Sequence, residues 1–202
     1  MTWSWFHEIG RKIIHITILI VLFTYSIIQD NLIEAGKSTV LAKQIALLFL
    51  VALLILFLIF EYLRLELNWR MPFFSQFIRP KEQTRMYGVI YFLSATIIAL
   101  AVFDYKIALA ALLMTTFGDM MAALVGKKYG HTLIHRNKTW AGFIAELVTN
   151  LIVGFFILEN IYIILGMAFV ATIVETVVDE LDDNLLIPLF AGFAGQIIYF
   201  TL

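Results

Sequence analysis

With 62% hydrophobic residues, 14% charged residues and a mean hydropathy of +0.93 over 202 residues, the chain falls outside the ordinary soluble class, which runs nearer half apolar and a quarter charged. The formal charge of −1 carries no message as a total, and the absence of cysteine excludes disulfides, thiolate metal sites and cysteine nucleophiles. At ~20 residues per crossing there is room for about seven membrane spans and no stretch left for a second, soluble core. The expectation is one integral membrane domain over residues 1–202, an all-α polytopic helix bundle.

The first predicted helix covers 9–28. Arg11 and Lys12 precede its apolar run, but no small-x-small cleavage site follows Ile28, so it reads as a retained span rather than a signal peptide. Glu8, Arg11, Lys12 and His15 share one stripe of that helix at its charged end, by spacings of three and four. His15 in that stripe is open to two readings, a packing histidine or one wall of an active site. The second helix, 40–63, is almost pure Leu, Ile, Phe, Val and Ala from Ile45 to Phe60 and should face lipid over much of its surface. Glu61 and Arg64 at its end make a second charged pair. Residues 64–85 then mix cations with Trp69, Met71, Pro72, Phe73, Phe74 and Phe77, a pattern for an interfacial segment or a topogenic anchor.

Helices over 86–103 and 106–126 come next, and the latter carries Gly118-Asp119 near its polar end. An uncompensated carboxylate at a membrane boundary is costly, so Asp119 is a candidate for ligand or metal binding as well as for simple ion pairing. The following loop holds Lys127, Lys128, Gly130, Arg136 and Lys138, and Thr139 is placed to cap a fifth helix over 139–158. Glycines that admit close backbone approach, a helix N-terminus and adjacent cations have the character of a phosphate cradle. The same cations also fit a topogenic cluster, and no Walker spacing is present. Within the fifth helix, Glu146 is a buried acid with Asn150 one turn on along the same face.

The sixth helix, 160–178, leads into Glu175, Asp179, Asp182 and Asp183, whose offsets of 4, 7 and 8 share one helix face if the helix continues that far. So many acids together call for Mg²⁺ or for the basic loop among them, unless they form a solvated acidic turn. Asn184 is placed to cap a seventh helix over 185–201, with Pro188 in its first turn. Eleven of the fourteen Lys and Arg residues fall on one side of this seven-helix arrangement, with Lys37, Lys43 and Lys106 on the other. The positive-inside rule therefore puts the N-terminus, the 127–138 loop and the 175–184 acids on the cytoplasmic side.

Taken together, these residues resemble the CTP-dependent lipid-alcohol kinases, the family of dolichol kinase, phytol kinase and yeast-type diacylglycerol kinase. The resemblance rests on Glu8-x-x-Arg11-Lys12-x-x-His15, Glu61-x-x-Arg64, Arg79-x-x-Glu82 and Gly88-x-x-Tyr91-Phe92. It continues through Gly118-Asp119-x-x-Ala122-x-x-x-Gly126-x-x-x-Gly130, Lys138-Thr139-x-x-Gly142, Glu175 and Asp183-Asn184-x-x-x-Pro188. Phosphatidate cytidylyltransferases share the Gly-Asp and Lys-Thr-Trp-x-Gly elements, Trp140 included, but their Pro-Gly-His-Gly-Gly signature is missing here. The resemblance implies transfer of the γ-phosphate of CTP to a polyprenol, phytol or diacylglycerol at the cytosolic face; the alternative is a CDP-lipid synthase. It implies Mg²⁺ on Asp119, Glu175 and Asp183, with Asp119 or His15 taking the proton of the acceptor. Arg11, Lys12, Gly126, Lys127, Gly130, Lys138, Thr139, Gly142 and Asn184 are then expected around the nucleotide. The expected partners are a nucleoside triphosphate, a lipid alcohol and the bilayer, with no nucleic acid.

Overall fold

The computed structural model describes residues 5–67, 86–178 and 181–202, with side chains of the first helix described from Leu19. Seven helices follow one another among these residues: α1 (Trp5–Glu34), α2 (Thr39–Leu67), α3 (Gly88–Val102), α4 (Tyr105–Tyr129), α5 (Trp140–Ile157), α6 (Ile161–Val177) and α7 (Asp183–Thr201). Between α4 and α5 lies a small antiparallel hairpin of β1 (Leu133–His135) and β2 (Lys138–Thr139). The expected all-α bundle forms. Helices α2, α4, α5 and α7 are long and apolar enough to cross a membrane, while α3 and α6 are shorter apolar helices. The helix carrying Glu8, Arg11, Lys12 and His15 is present, but their side chains lie outside the described residues, as do the 68–85 portion of the interfacial segment and Asp179.

The chain divides into two compact units, Met1–Ile97 and Ile98–Leu202. In the first, α1 and α2 form an antiparallel pair. Gly36 takes a left-handed backbone (φ 79°), which lets the Gly36 and Lys37 N–H groups reach back to the Ile33 and Leu32 carbonyls and close α1. Helix α2 buries Ala42, Ala46 and Leu50, one narrow stripe at a spacing of four, and leaves Leu48, Ile55, Ile59 and Tyr62 exposed. An outward apolar face of that kind suits hydrocarbon.

Glu61, at the polar end of α2, is buried and receives two hydrogen bonds from Arg64, at 2.8 and 2.6 Å. The Tyr87 backbone N–H donates to the same carboxylate at 3.0 Å, and the Arg64 guanidinium stacks 4.0 Å from the centre of the Tyr87 ring. This clasp ties the end of α2 to the start of α3. Arg64→Ala leaves Glu61 buried without its cation, so it should cost about 3–5 kcal/mol, read as unfolding in detergent. A loss below about 1 kcal/mol would instead mark a solvated surface pair.

In the second unit, α4 to α7 run up and down through short connections, and each of α4 and α6 packs against both α5 and α7. The helices approach closely because small residues line their contacts. Ala108, Ala110 and Ala111 of α4, Ala168 and Ala171 of α6 and Ala191 of α7 are fully buried. The Phe103 ring sits where a Cβ on Gly192 would lie, 2.2 Å from the nearest ring atom, and packs edge-on against Phe193. Phe155, Phe156, Phe190 and Phe200 point outward.

Candidate active site

The polar end of the second unit gathers one charged group from each of four neighbouring segments. Asp119 comes first. Helix α4 is interrupted by a π turn over Met114–Gly118, which inserts an extra residue and rotates the following face by roughly 100°. The Thr115 and Thr116 hydroxyls satisfy the local backbone by donating to the Ala111 and Leu112 carbonyls at 2.8 and 2.9 Å. Gly118 has no room for a side chain: a Cβ there would lie 2.4 Å from Asn150 Oδ1 and 3.2 Å from Glu146 Cγ. Asn150 in turn donates to the Thr172 hydroxyl at 3.1 Å, so α4, α5 and α6 are locked together one residue before Asp119. Asp119 is buried.

The second group arrives on the hairpin. Residues 127–139 are expected from sequence to form a loop with the character of a phosphate cradle. Instead α4 runs on to Tyr129, and His135-Arg136-Asn137-Lys138 turns back with Arg136 in the left-handed region (φ 46°). The Trp140 N–H closes the turn onto the Thr132 carbonyl at 3.1 Å. Thr139 caps α5 as expected, accepting from the Gly142 N–H at 3.2 Å. Its side chain is wedged among three glycines. A Cβ on Gly130 would meet Thr139 Oγ1 at 2.5 Å, on Gly126 at 3.1 Å and on Gly142 at 3.3 Å. Gly126, Gly130 and Gly142 therefore have a packing duty that the phosphate-cradle expectation did not include. Lys127 and Lys128 sit exposed in the last turn of α4, Lys128 over the Tyr129 ring.

Lys138, beside that wedge, sends its ammonium to Glu175 Oε1 on α6. Burial works against the charged ammonium, but Glu175, with Asp119 and Asp183 behind it, outweighs that and holds the Lys138 pKa above its ordinary value. Helix α6 ends at Val177, so the acids of 175–183 do not share one helix face, contrary to the sequence expectation; the chain leaves helical geometry at Val178. Glu175 and Asp183 come together nonetheless, from the end of α6 and the first residue of α7. Asn184 is not the cap of that helix. Asp182 is, accepting from the Asn184 N–H at 3.1 Å and from its side-chain amide at 2.7 Å, because α7 starts two residues earlier than expected. Pro188 consequently lies beyond the first turn.

Asp119, Glu175 and Asp183 each offer a carboxylate oxygen within 4.8 Å of the others. Glu175 Oε2 is buried with no hydrogen-bond donor, as is Asn150 Oδ1. Three hard oxygen donors at this separation, one with an orphaned oxygen, fit a small divalent cation of the Mg²⁺ type, which takes few carboxylates and fills its shell with water and phosphate oxygens. Of the expected site residues, the structure brings Asp119, Lys138, Glu175 and Asp183 together, with Asn184 donating to the Asp182 cap beside Asp183 and with Thr139 and the glycines behind Lys138. Arg11, Lys12 and His15 belong to the other unit.

Sequence reasoning missed the π turn, the hairpin and the Gly118–Asn150–Thr172 lock. The first two leave no periodic trace; the third was half visible as a glycine before the acid and an asparagine on a polar face.

The chain is 30% identical over 157 residues to CTP-dependent diacylglycerol kinase 1 of Saccharomyces cerevisiae, covering 72% of the chain and 49% of the relative. It is 32% identical over 135 residues to phytol kinase 1, chloroplastic, of Arabidopsis thaliana, covering 54% and 43%. A probable phytol kinase 1, chloroplastic, of Oryza sativa subsp. japonica is 26% identical over 141 residues, covering 60% and 44%. The chain thus spans about half the length of these curated relatives, or slightly less. No protein-family model matches the chain, and no solved structure matches it.

Proposed function

The chain belongs to the CTP-dependent lipid-alcohol kinase family, and from that premise we propose that it transfers the γ-phosphate of CTP to the hydroxyl of a membrane lipid alcohol. The acceptor classes are diacylglycerol, phytol and the longer polyprenols, and the site faces the cytosol, in keeping with the Lys and Arg asymmetry. The observation that carries this reading is the meeting of Asp119, Glu175 and Asp183 around Lys138 at one end of an otherwise apolar four-helix unit.

Phosphoryl transfer asks the protein for alignment and charge neutralisation more than for covalent chemistry. A divalent cation on the three carboxylates would offset the charge of the nucleotide phosphates there. Lys138 adds a positive charge beside them, and the N-terminus of α5, capped by Thr139, presents backbone N–H groups on the same side. The acceptor oxygen bonds to the γ-phosphorus as the bond to the β,γ-bridging oxygen breaks, and CDP leaves. The hydroxyl proton passes to a carboxylate, for which Asp119 is the preferred group. The lipid tail stays in the bilayer, against the outward apolar faces, while its hydroxyl meets the polar end of the bundle.

Purified protein given γ-labelled CTP and a panel of lipid alcohols should release CDP and label the lipid. Release of pyrophosphate with formation of a CDP-lipid would instead mark a cytidylyltransferase. Absence of turnover with every alcohol in the panel would remove the kinase reading.

A further inference from the structure

The charge balance at the acid cluster leads beyond that reading while resting on it. Three carboxylates converge within 4.8 Å, Asp119 and Glu175 are buried, and the Lys138 ammonium pairs with Glu175 at their edge. It satisfies one oxygen of Glu175 and leaves the other buried without a donor. The two partners differ in freedom. The Glu175 side chain is 4% exposed, whereas that of Lys138 is 33% exposed. Its backbone is pinned, since Thr139 next to it is wedged against Gly126, Gly130 and Gly142. What can move is the four-carbon stem of Lys138, and it can move only toward its open side.

We infer that Lys138 is an exchangeable counter-cation: it neutralises the acid cluster when the site is empty of metal, and a divalent cation entering the cluster releases it to meet the nucleotide phosphates. An ammonium donating to Glu175 Oε1 and a metal bound through that carboxylate compete for the same charge, so one must leave when the other arrives. The released ammonium then stands where added anionic charge stabilises it. Metal and nucleotide binding are coupled through this one side chain, and such coupling is reciprocal. The cluster resists metal until phosphate is at hand.

The test uses Mn²⁺ as a spectroscopically visible probe on the detergent-solubilised protein without nucleotide. Lys138→Gln should bind Mn²⁺ about 5- to 150-fold more tightly than the parent, the usual span of a two-site coupling, while Lys138→Arg retains the weaker affinity. In the parent protein, Mg²⁺ should raise acylation of Lys138 by an amine reagent, read by mass spectrometry, and this measurement needs no variant. Equal Mn²⁺ affinity in parent and Lys138→Gln, weaker binding by the variant, or labelling indifferent to Mg²⁺ would overturn the exchange and leave the metal site standing. Failure of parent and variant alike to bind Mn²⁺ would overturn the metal assignment, and the exchange with it.

Discussion

Asp119→Asn should lower the rate of lipid phosphorylation by ~10²- to 10³-fold, the scale on which loss of a preorganised electrostatic partner is felt. The substitution is nearly isosteric and sits where Gly118 and Asn150 already fix the backbone, so the fold has no reason to give way. Removing one of three clustered negative charges relieves repulsion, so thermal unfolding in detergent should stay level or rise. The decisive pair of measurements is labelled-lipid formation and melting on the same preparation. Near-normal turnover would take Asp119 out of both the metal and the proton-accepting role.

The second large effect is expected from Gly130→Ala, a change that touches no charged group. The new methyl carbon would lie 2.3 Å from the Gly126 carbonyl oxygen and 2.5 and 2.6 Å from two atoms of Thr139. One of those neighbours is backbone at the end of α4, so the strain cannot be absorbed by turning a side chain. Either Thr139 is pushed off its cap or the hairpin shifts, and Lys138 moves with it. A displacement near 1 Å at a reacting centre is worth roughly 100-fold in rate. Gly126→Ala offers a graded control, since its closest contact is a hydroxyl at 3.1 Å and should cost much less. Equal activity in the two variants would contradict the wedge. Activity should be read alongside membrane yield, which separates misplacement from misfolding.

The helices were readable because hydrocarbon demands long unbroken apolar runs, and those runs mark α2, α5 and α7 to within a few residues. Their ends were less so. Helix α4 continues through Lys127 and Lys128 to Tyr129, although cations and glycines suggested a loop, because snorkelling side chains let a helix emerge from lipid without ending. Asp119, Glu175, Asp183 and Lys138 could be nominated from sequence since charge is rare here and each instance needs a reason. Their convergence could not be derived from periodicity, and the supposed common helix face of the acids was the wrong device. The end of α6 at Val177 and a two-residue strand achieve what a continuous helix would not. The glycines were assigned to a ligand, yet they make room for Thr139; sequence alone does not distinguish space left for an anion from space left for a neighbour.

Each of the last four helices supplies one member of the charged quartet: Asp119 from α4, Lys138 from the strand that enters α5, Glu175 from α6 and Asp183 from α7. No two successive helices hold a complete chelating set. Through α5 the chain holds only Asp119 and Lys138 of that quartet, and through α6 it is still one carboxylate of the three short. If this cluster holds the metal as proposed, the site can form only once α7 has joined α4 and α6, and a partly inserted intermediate would hold no complete set of carboxylates.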